Sequence, residues 1–301
     1  MTKQHREVRM EHITAKVSCF ARAYHYRNHP RRIFADEAAG SLLGEDYDRI
    51  AKSMMDGISF FLPGFKGTRE EGLKRIADHQ LSPSVLGRSA YCEKKIENEI
   101  LLGCSQIVIF ASGYDTFSIR NRDKAITVYE LDLPQTLIDK EERVRLSGLE
   151  SSAVYVPCDL SDPGWTDQLK GKGYDPGKKS FGSMLGICYY LSKEEWANLL
   201  HRAAGIMPRG SAICFDYPSN TGSRETRINQ NLAEGAGERM KAAYSVDEME
   251  TLLGHAGFLV YEHLRPEDMT QQFFSAYNEI NPDHPISAPE GVEYILAVLQ
   301  G

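Results

Sequence analysis

Apolar and polar positions follow two rhythms along the chain, and the change comes near residue 104. From about Met10 to Ile100 the apolar residues fall at helical spacing. Leu42–Leu43, Ile50, Met54–Met55 and Ile58 to Leu62 supply apolar faces, and Pro63–Gly64 separates one helix from the next. No stretch of this block alternates as a half-buried strand does. From Cys104 onward, short apolar runs alternate with amphipathic segments, the pattern of βα units wound into a parallel sheet. Strands are predicted near 106–110, 126–131, 153–157, 181–187, 211–216 and 258–262, and a strongly apolar strand is predicted at Val292–Leu299. Helices are predicted over Leu133–Leu146 and over Ser192–Met207, where Ser192 and Glu195 form a capping box. Ser245–Val246–Asp247–Glu248 opens another helix with the same chemistry, ending at Gly254 or Gly257. Tyr91–Leu102 reads as the helix feeding the first strand, with Arg88 just ahead of it, and Gly171–Lys179 reads as a loop. The expected chain is one α/β domain: a helical cap over 1–103 and a sheet core over 104–301, with a helical insertion near 219–241 able to act as a lid.

The stretch Gln106–Phe110 running into Ala111–Ser112–Gly113 organises this reading. A buried parallel strand that ends in a glycine turn places backbone where a ligand can approach closely. The next strand ends in Glu130 and Asp132, about 20 residues after the turn, a distance at which acids reach ribose hydroxyls. Dinucleotide dehydrogenases and methyltransferases both need such a pair, so these residues define a nucleoside site before they define a chemistry.

Composition narrows the partners. Apolar residues make up 42% of the 301 positions, enough for a sizeable core, and the net charge of −7 argues against a broad nucleic-acid footprint. No apolar run approaches the roughly 18 residues of a membrane span, and Met1–Glu11 carries no apolar signal core, so a cytoplasmic protein acting on a small molecule is expected. Cys19, Cys92, Cys104, Cys158, Cys188 and Cys214 are scattered without a C-x-x-C pair and read as reduced core residues. No H-E-x-x-H pattern occurs, and the His25/His29 pair has no carboxylate or cysteine nearby at ligand spacing, so a metal site is not expected. Arg22, Arg27, Arg31 and Arg32 with His25 and His29 form a basic cluster of the kind that usually lies on a solvated helix face.

Several ordered motifs resemble the leucine carboxyl methyltransferase-like family of class I methyltransferases, including its bacterial polyketide O-methyltransferase-like branch. They are Phe20–Ala21–Arg22–Ala23, Arg88, Ala111–Ser112–Gly113–Tyr114–Asp115–Thr116–Phe117, Glu130–Leu131–Asp132–Leu133–Pro134 and Asp159–Leu160, spread from Phe20 to about Asp216. The βα alternation followed by an isolated terminal apolar strand predicts a mostly parallel sheet of about seven strands with helices on both faces and Val292–Leu299 antiparallel to its neighbours, and the resemblance implies that this sheet is Rossmann-like, with S-adenosyl-L-methionine as cofactor. It implies that Arg88 pairs with the methionine carboxylate, that Gly113, with Ala111 and Ser112 beside it, lets the backbone approach, and that Asp132, with Glu130 as neighbour, holds the ribose. Asp159 and Leu160 would flank the adenine, and Arg22 would bring positive charge to a carboxylate of cofactor or acceptor. Three departures stand out: Ala111 replaces the first glycine, Phe117 an arginine, and Leu185 a glutamate at the end of the fourth strand. The Ala111 methyl is tolerated if its backbone is ordinary.

The expected activity is therefore S-adenosylmethionine-dependent O-methylation of a carboxylate or hydroxyl on a small molecule. A carboxylate needs no base; a hydroxyl benefits from one, for which Tyr189, Tyr190, Asp216 and Tyr217 stand near strand ends. An NAD-dependent oxidoreductase shares the strand, turn and acid logic, although Thr116 occupies the third glycine position. A cofactor-binding protein of the same fold with weak turnover is the third reading.

Overall fold

The computed structural model describes residues 13–220 and 240–300. Its centre is a seven-stranded sheet in the order β3-β2-β1-β4-β5-β7-β6. The strands are β1 Gln106–Phe110, β2 Thr127–Asp132, β3 Ala153–Pro157, β4 Ser180–Met184, β5 Ala212–Pro218, β6 Phe258–Leu264 and β7 Val292–Leu299. Pairings among β1 to β5 are parallel, whereas β7 inserts antiparallel between β5 and β6. Strand order reverses between β1 and β4, so the crevice beyond their carboxyl ends is where ligands bind in open α/β sheets. The predicted 181–187 strand stops at Met184, because Gly186 turns the chain with φ +71 and a short 3-10 turn follows at Cys188–Tyr190.

Helices cover both faces because each buried strand has apolar side chains on both of its sides. On one face Phe110, Ile213 and Phe215 pack against Trp165, Trp196 and Leu200. On the other, Ile107, Ile109, Val128 and Cys214 meet Tyr91, Ile96 and Phe274. The helices that matter for the site are α1 Ile13–Asn28, α2 Ser82–Leu101, α3 Pro134–Ser147, α4 Lys193–Ile206 and α5 Val246–His255. The Ser192 and Ser245 capping boxes both form, each serine accepting from the backbone N–H three residues on. No described helix is long and apolar enough to cross a membrane.

Helix α2 begins nine residues earlier than its sequence pattern suggests, so Arg88 lies within it and not before it. Gly87 lies inside this helix, where Phe274 and the Tyr294 hydroxyl pack so closely that a Cβ would sit 3.2 Å from the ring and 3.5 Å from the hydroxyl. Tertiary packing thus overrides a local helix-weakening residue. Upstream, Pro83 cannot donate to the helical ladder, and the π turn Ala77–Leu81 links α2 to the helix Arg69–Ile76.

The helical block packs onto the sheet through its own core, in which Phe20, Tyr24, Leu42, Leu73 and Ile76 meet Tyr114 and Ile119 just past the glycine turn. The expected solvated basic face forms only in part: Arg27, Arg31 and Arg32 are exposed, whereas Arg22, His25 and His29 are buried. His25 is fully buried, accepts from the Ile33 N–H at 3.0 Å and stacks on His29 with ring centroids 4.7 Å apart. His29 meets Asp78 at 2.9 Å and the Tyr277 hydroxyl at 3.2 Å, while Arg27 and Arg32 lie over the Tyr47 and Tyr26 rings. Burial, reinforced by His29, pushes the His25 pKa down from 6.5 to about 3.

Candidate active site

The turn after β1 is held by the end of β2. Ser112 N–H donates to the Leu131 carbonyl at 3.0 Å, and Gly113 N–H donates to Asp132 Oδ2 at 2.7 Å. The other Asp132 oxygen accepts from Leu133 N–H, also at 2.7 Å. The carboxylate therefore sits at the carboxyl edge, half-exposed, between the turn and the start of α3. Gly113 has φ +49, and a Cβ there would stand 3.1 Å from the Ala15 Cβ of α1. Ala111 does not have the ordinary backbone expected of it: its φ is +48, a left-handed conformation that its methyl disfavours. The buried Ser112 hydroxyl has no hydrogen-bond partner among the described residues.

Glu130, two residues before Asp132, is a correction. It is fully buried, ion-paired with the equally buried Lys140 of α3, and accepts from the Ser118 hydroxyl at 2.6 Å. Burial raises its pKa, opposed by Lys140. Strand geometry explains the difference: both side chains point to the same face, but only the last residue of β2 clears the edge. Glu130 cannot reach a ribose without giving up this pair.

Arg22 is likewise not a solvated arginine. Its Nε meets Asp36 at 2.8 Å and its Nη2 donates to the Tyr114 carbonyl at 2.6 Å, so α1 is bolted directly to the turn. Asp36 in turn lies 3.5 Å from Arg120, which pairs with Glu93.

Arg88 occupies the opposite wall, where its guanidinium comes within 3.4 Å of both Asp216 and the Ser18 hydroxyl. Five N–H donors with two long contacts leave the fork under-used. Gly186 permits this approach, since a Cβ on it would lie 2.7 Å from Arg88 Nη1. Asp216, fully buried at the end of β5, accepts from Gly186 N–H at 2.7 Å and from the Tyr189 hydroxyl at 2.9 Å. Burial and then Asp216 push the Tyr189 phenol well above its ordinary pKa. Tyr190 is half-buried beside Tyr189, with ring centroids 6.3 Å apart.

Tyr217 does not join this group. Alternation along β5 turns it to the other face, where its hydroxyl donates to Glu293 at 2.7 Å and lies 3.2 Å from His263 Nε2. Asp159 is exposed and accepts from Ser161 N–H and Oγ at 2.8 and 2.7 Å; Leu160 beside it is half-buried. Leu185 lines a recess with Cys92, Glu93, Asp115, Phe117 and Ser183 that has room for about one water, too small for a nucleoside. Of the expected lid, 221–239 lie outside the described residues.

The donor set nevertheless suits S-adenosyl-L-methionine. A half-exposed carboxylate ends β2, a turn with two positive φ angles brings bare backbone to the crevice, and a guanidinium with spare donors faces it. Sequence reasoning missed Gly186, Asp36 and Ser18. Gly186 carried a readable signal, a glycine just past an apolar run, whereas the others come from segments remote in sequence.

A family model described as leucine carboxyl methyltransferase matches residues 15–204. The chain is 36% identical over 301 residues to YktD of Bacillus subtilis, whose name assigns it to the S-adenosyl-L-methionine-dependent methyltransferases, covering 95% of this chain and 97% of that one. Among solved structures, a DUF574-family protein from Streptomyces avermitilis superposes with TM-score 0.57 at 12% identity, covering 94% of this chain and 97% of its own. A Thermobifida fusca protein assigned as a methyltransferase gives TM-score 0.55 at 15% identity, with 84% and 95% covered. At these identities the solved structures speak to fold alone.

Proposed function

The chain belongs to the leucine carboxyl methyltransferase family of S-adenosyl-L-methionine-dependent methyltransferases, and from that membership we propose that it methylates an oxygen of a small molecule, a carboxylate in preference to a hydroxyl. The cofactor supplies an electrophilic methyl group on a sulfonium. The observation that carries the choice of acceptor is the engagement of the polar groups at the strand ends. Asp216 accepts from Gly186, Tyr189 and Arg88, and the Tyr189 phenol is held in its protonated form. Neither is placed to take a proton. A carboxylate arrives deprotonated and has only to be positioned, whereas a hydroxyl gains from a base. A bound carboxylate would form its oxygen–carbon bond as the carbon–sulfur bond broke, with no proton to transfer.

On this reading Asp132 holds the ribose hydroxyls, Gly113 lets the backbone approach, and Arg88 receives the methionine carboxylate, for which a guanidinium fork is suited. Asp159 and Leu160 flank the adenine, one as acceptor and one as apolar wall. Arg22 is a positioning residue, acting through the Tyr114 carbonyl. The helical cap closes over the turn, supported by the approach of Ala15 to Gly113. The test is to incubate the protein with methyl-labelled S-adenosylmethionine and small molecules extracted from cells, then treat the products with alkali. A methyl ester releases its label as methanol; a base-stable ether or methylamine overturns the carboxylate reading.

A further inference from the structure

We propose that Tyr294, on the antiparallel strand β7, is the second donor of a carboxylate-binding site whose first donor is Arg88. This rests on the methyltransferase reading and adds a residue to its site. Tyr294 is the register partner of Asp216, so the two strands bring its ring to the carboxyl edge beside the Arg88 cluster. Its side chain is fully buried, and its hydroxyl has no hydrogen-bond partner among the described residues. That is unusual for a phenol, because a buried hydroxyl normally finds an acceptor. The hydroxyl lies 3.5 Å from where a Cβ of Gly87 would be, one residue before Arg88 on α2.

Three features converge there. Arg88 has donors to spare, since its contacts to Asp216 and Ser18 are both 3.4 Å long. Tyr189 is already committed to Asp216 at 2.9 Å and cannot serve as the second donor. Burial, and then Asp216, push the Tyr294 pKa up, so the phenol stays a donor. A guanidinium with donors to spare and a neutral phenol with no acceptor of its own among the described residues together match one carboxylate, whose oxygens take a charge-assisted bond from each. That carboxylate is either the one on the methionine end of the cofactor or the one on the acceptor.

The test is Tyr294→Phe, which removes one oxygen and keeps the ring. Calorimetry is run with S-adenosylhomocysteine, with 5′-deoxy-5′-methylthioadenosine, which lacks the carboxylate, and with benzoate in the presence of saturating S-adenosylhomocysteine. If the site holds the cofactor carboxylate, S-adenosylhomocysteine should bind about 10- to 100-fold more weakly and methylthioadenosine unchanged. If it holds the acceptor carboxylate, only benzoate should weaken. Because the hydroxyl makes no bond in the free protein, the melting temperature should not fall. Equal weakening of S-adenosylhomocysteine and methylthioadenosine, or no change with any ligand, overturns the proposal and leaves the methyltransferase reading intact. Should the variant not fold, a crystal structure of the unaltered protein with S-adenosylhomocysteine and benzoate decides. The phenol should lie within about 3.2 Å of a carboxylate oxygen. A phenol bonded elsewhere in that complex refutes the proposal.

Discussion

The ground beneath the glycine turn and the carboxyl edge above it both carry charge, and they use it in opposite ways. Beneath the turn, Glu130 with Lys140 and Asp36 with Arg22 are closed pairs, buried and hydrogen-bonded to their surroundings. At the edge, among the described residues, Asp132 accepts from backbone N–H groups alone and the two side-chain hydrogen bonds of Arg88 are both long. Closed pairs hold the scaffold, because breaking one strands a charge out of water. Groups with unused hydrogen-bonding capacity at the edge are the ones a ligand can complete.

The sharpest way to break this comparison is Glu130→Ala, which leaves Lys140 buried without its partner. Stability should fall by about 3–5 kcal/mol in urea unfolding, while the double variant Glu130→Leu with Lys140→Met should recover most of it. A loss below about 1 kcal/mol would show the pair to be dispensable. Asp132→Ala should do the reverse: affinity for S-adenosylhomocysteine should drop by about one to two powers of ten in calorimetry, with a much smaller change in the unfolding midpoint. An unchanged dissociation constant would remove Asp132 from the site.

The buried histidine sharpens the contrast through pH. The folded pKa of His25 is lowered to about 3 from an unfolded 6.5, so between those values the unfolded chain binds the extra proton. The stability it contributes is therefore full above pH 6.5 and is lost as pH falls toward 3. Between pH 7 and 5 this amounts to about 2 kcal/mol, and His25→Gln should flatten that part of the profile relative to the unaltered protein. The smallest effect belongs to the turn. Ala111→Gly relieves the left-handed strain at φ +48 and should stabilise by about 0.5–1 kcal/mol, read as a raised melting temperature.

What the chain spells out locally was legible without coordinates. The first two strands, the Ser192 and Ser245 capping boxes, and the glycine turn followed by acids depend on neighbours within a few residues, and they formed within a residue of where the pattern put them. The antiparallel last strand followed from the βα alternation closed by an isolated terminal apolar strand. Tertiary structure decided which acid of Glu130 and Asp132 faces the crevice, because Lys140, ten residues on, returns on α3 to claim the inner one. It decided that α2 runs through Gly87, that Arg22 grips the Tyr114 carbonyl, and that Tyr217 and Asp216 part to opposite faces. It also set the Tyr294 hydroxyl beside a residue some two hundred positions earlier in the chain. Local propensity is written in adjacent residues, whereas the partner of a buried charge or hydroxyl is chosen only when distant segments pack together.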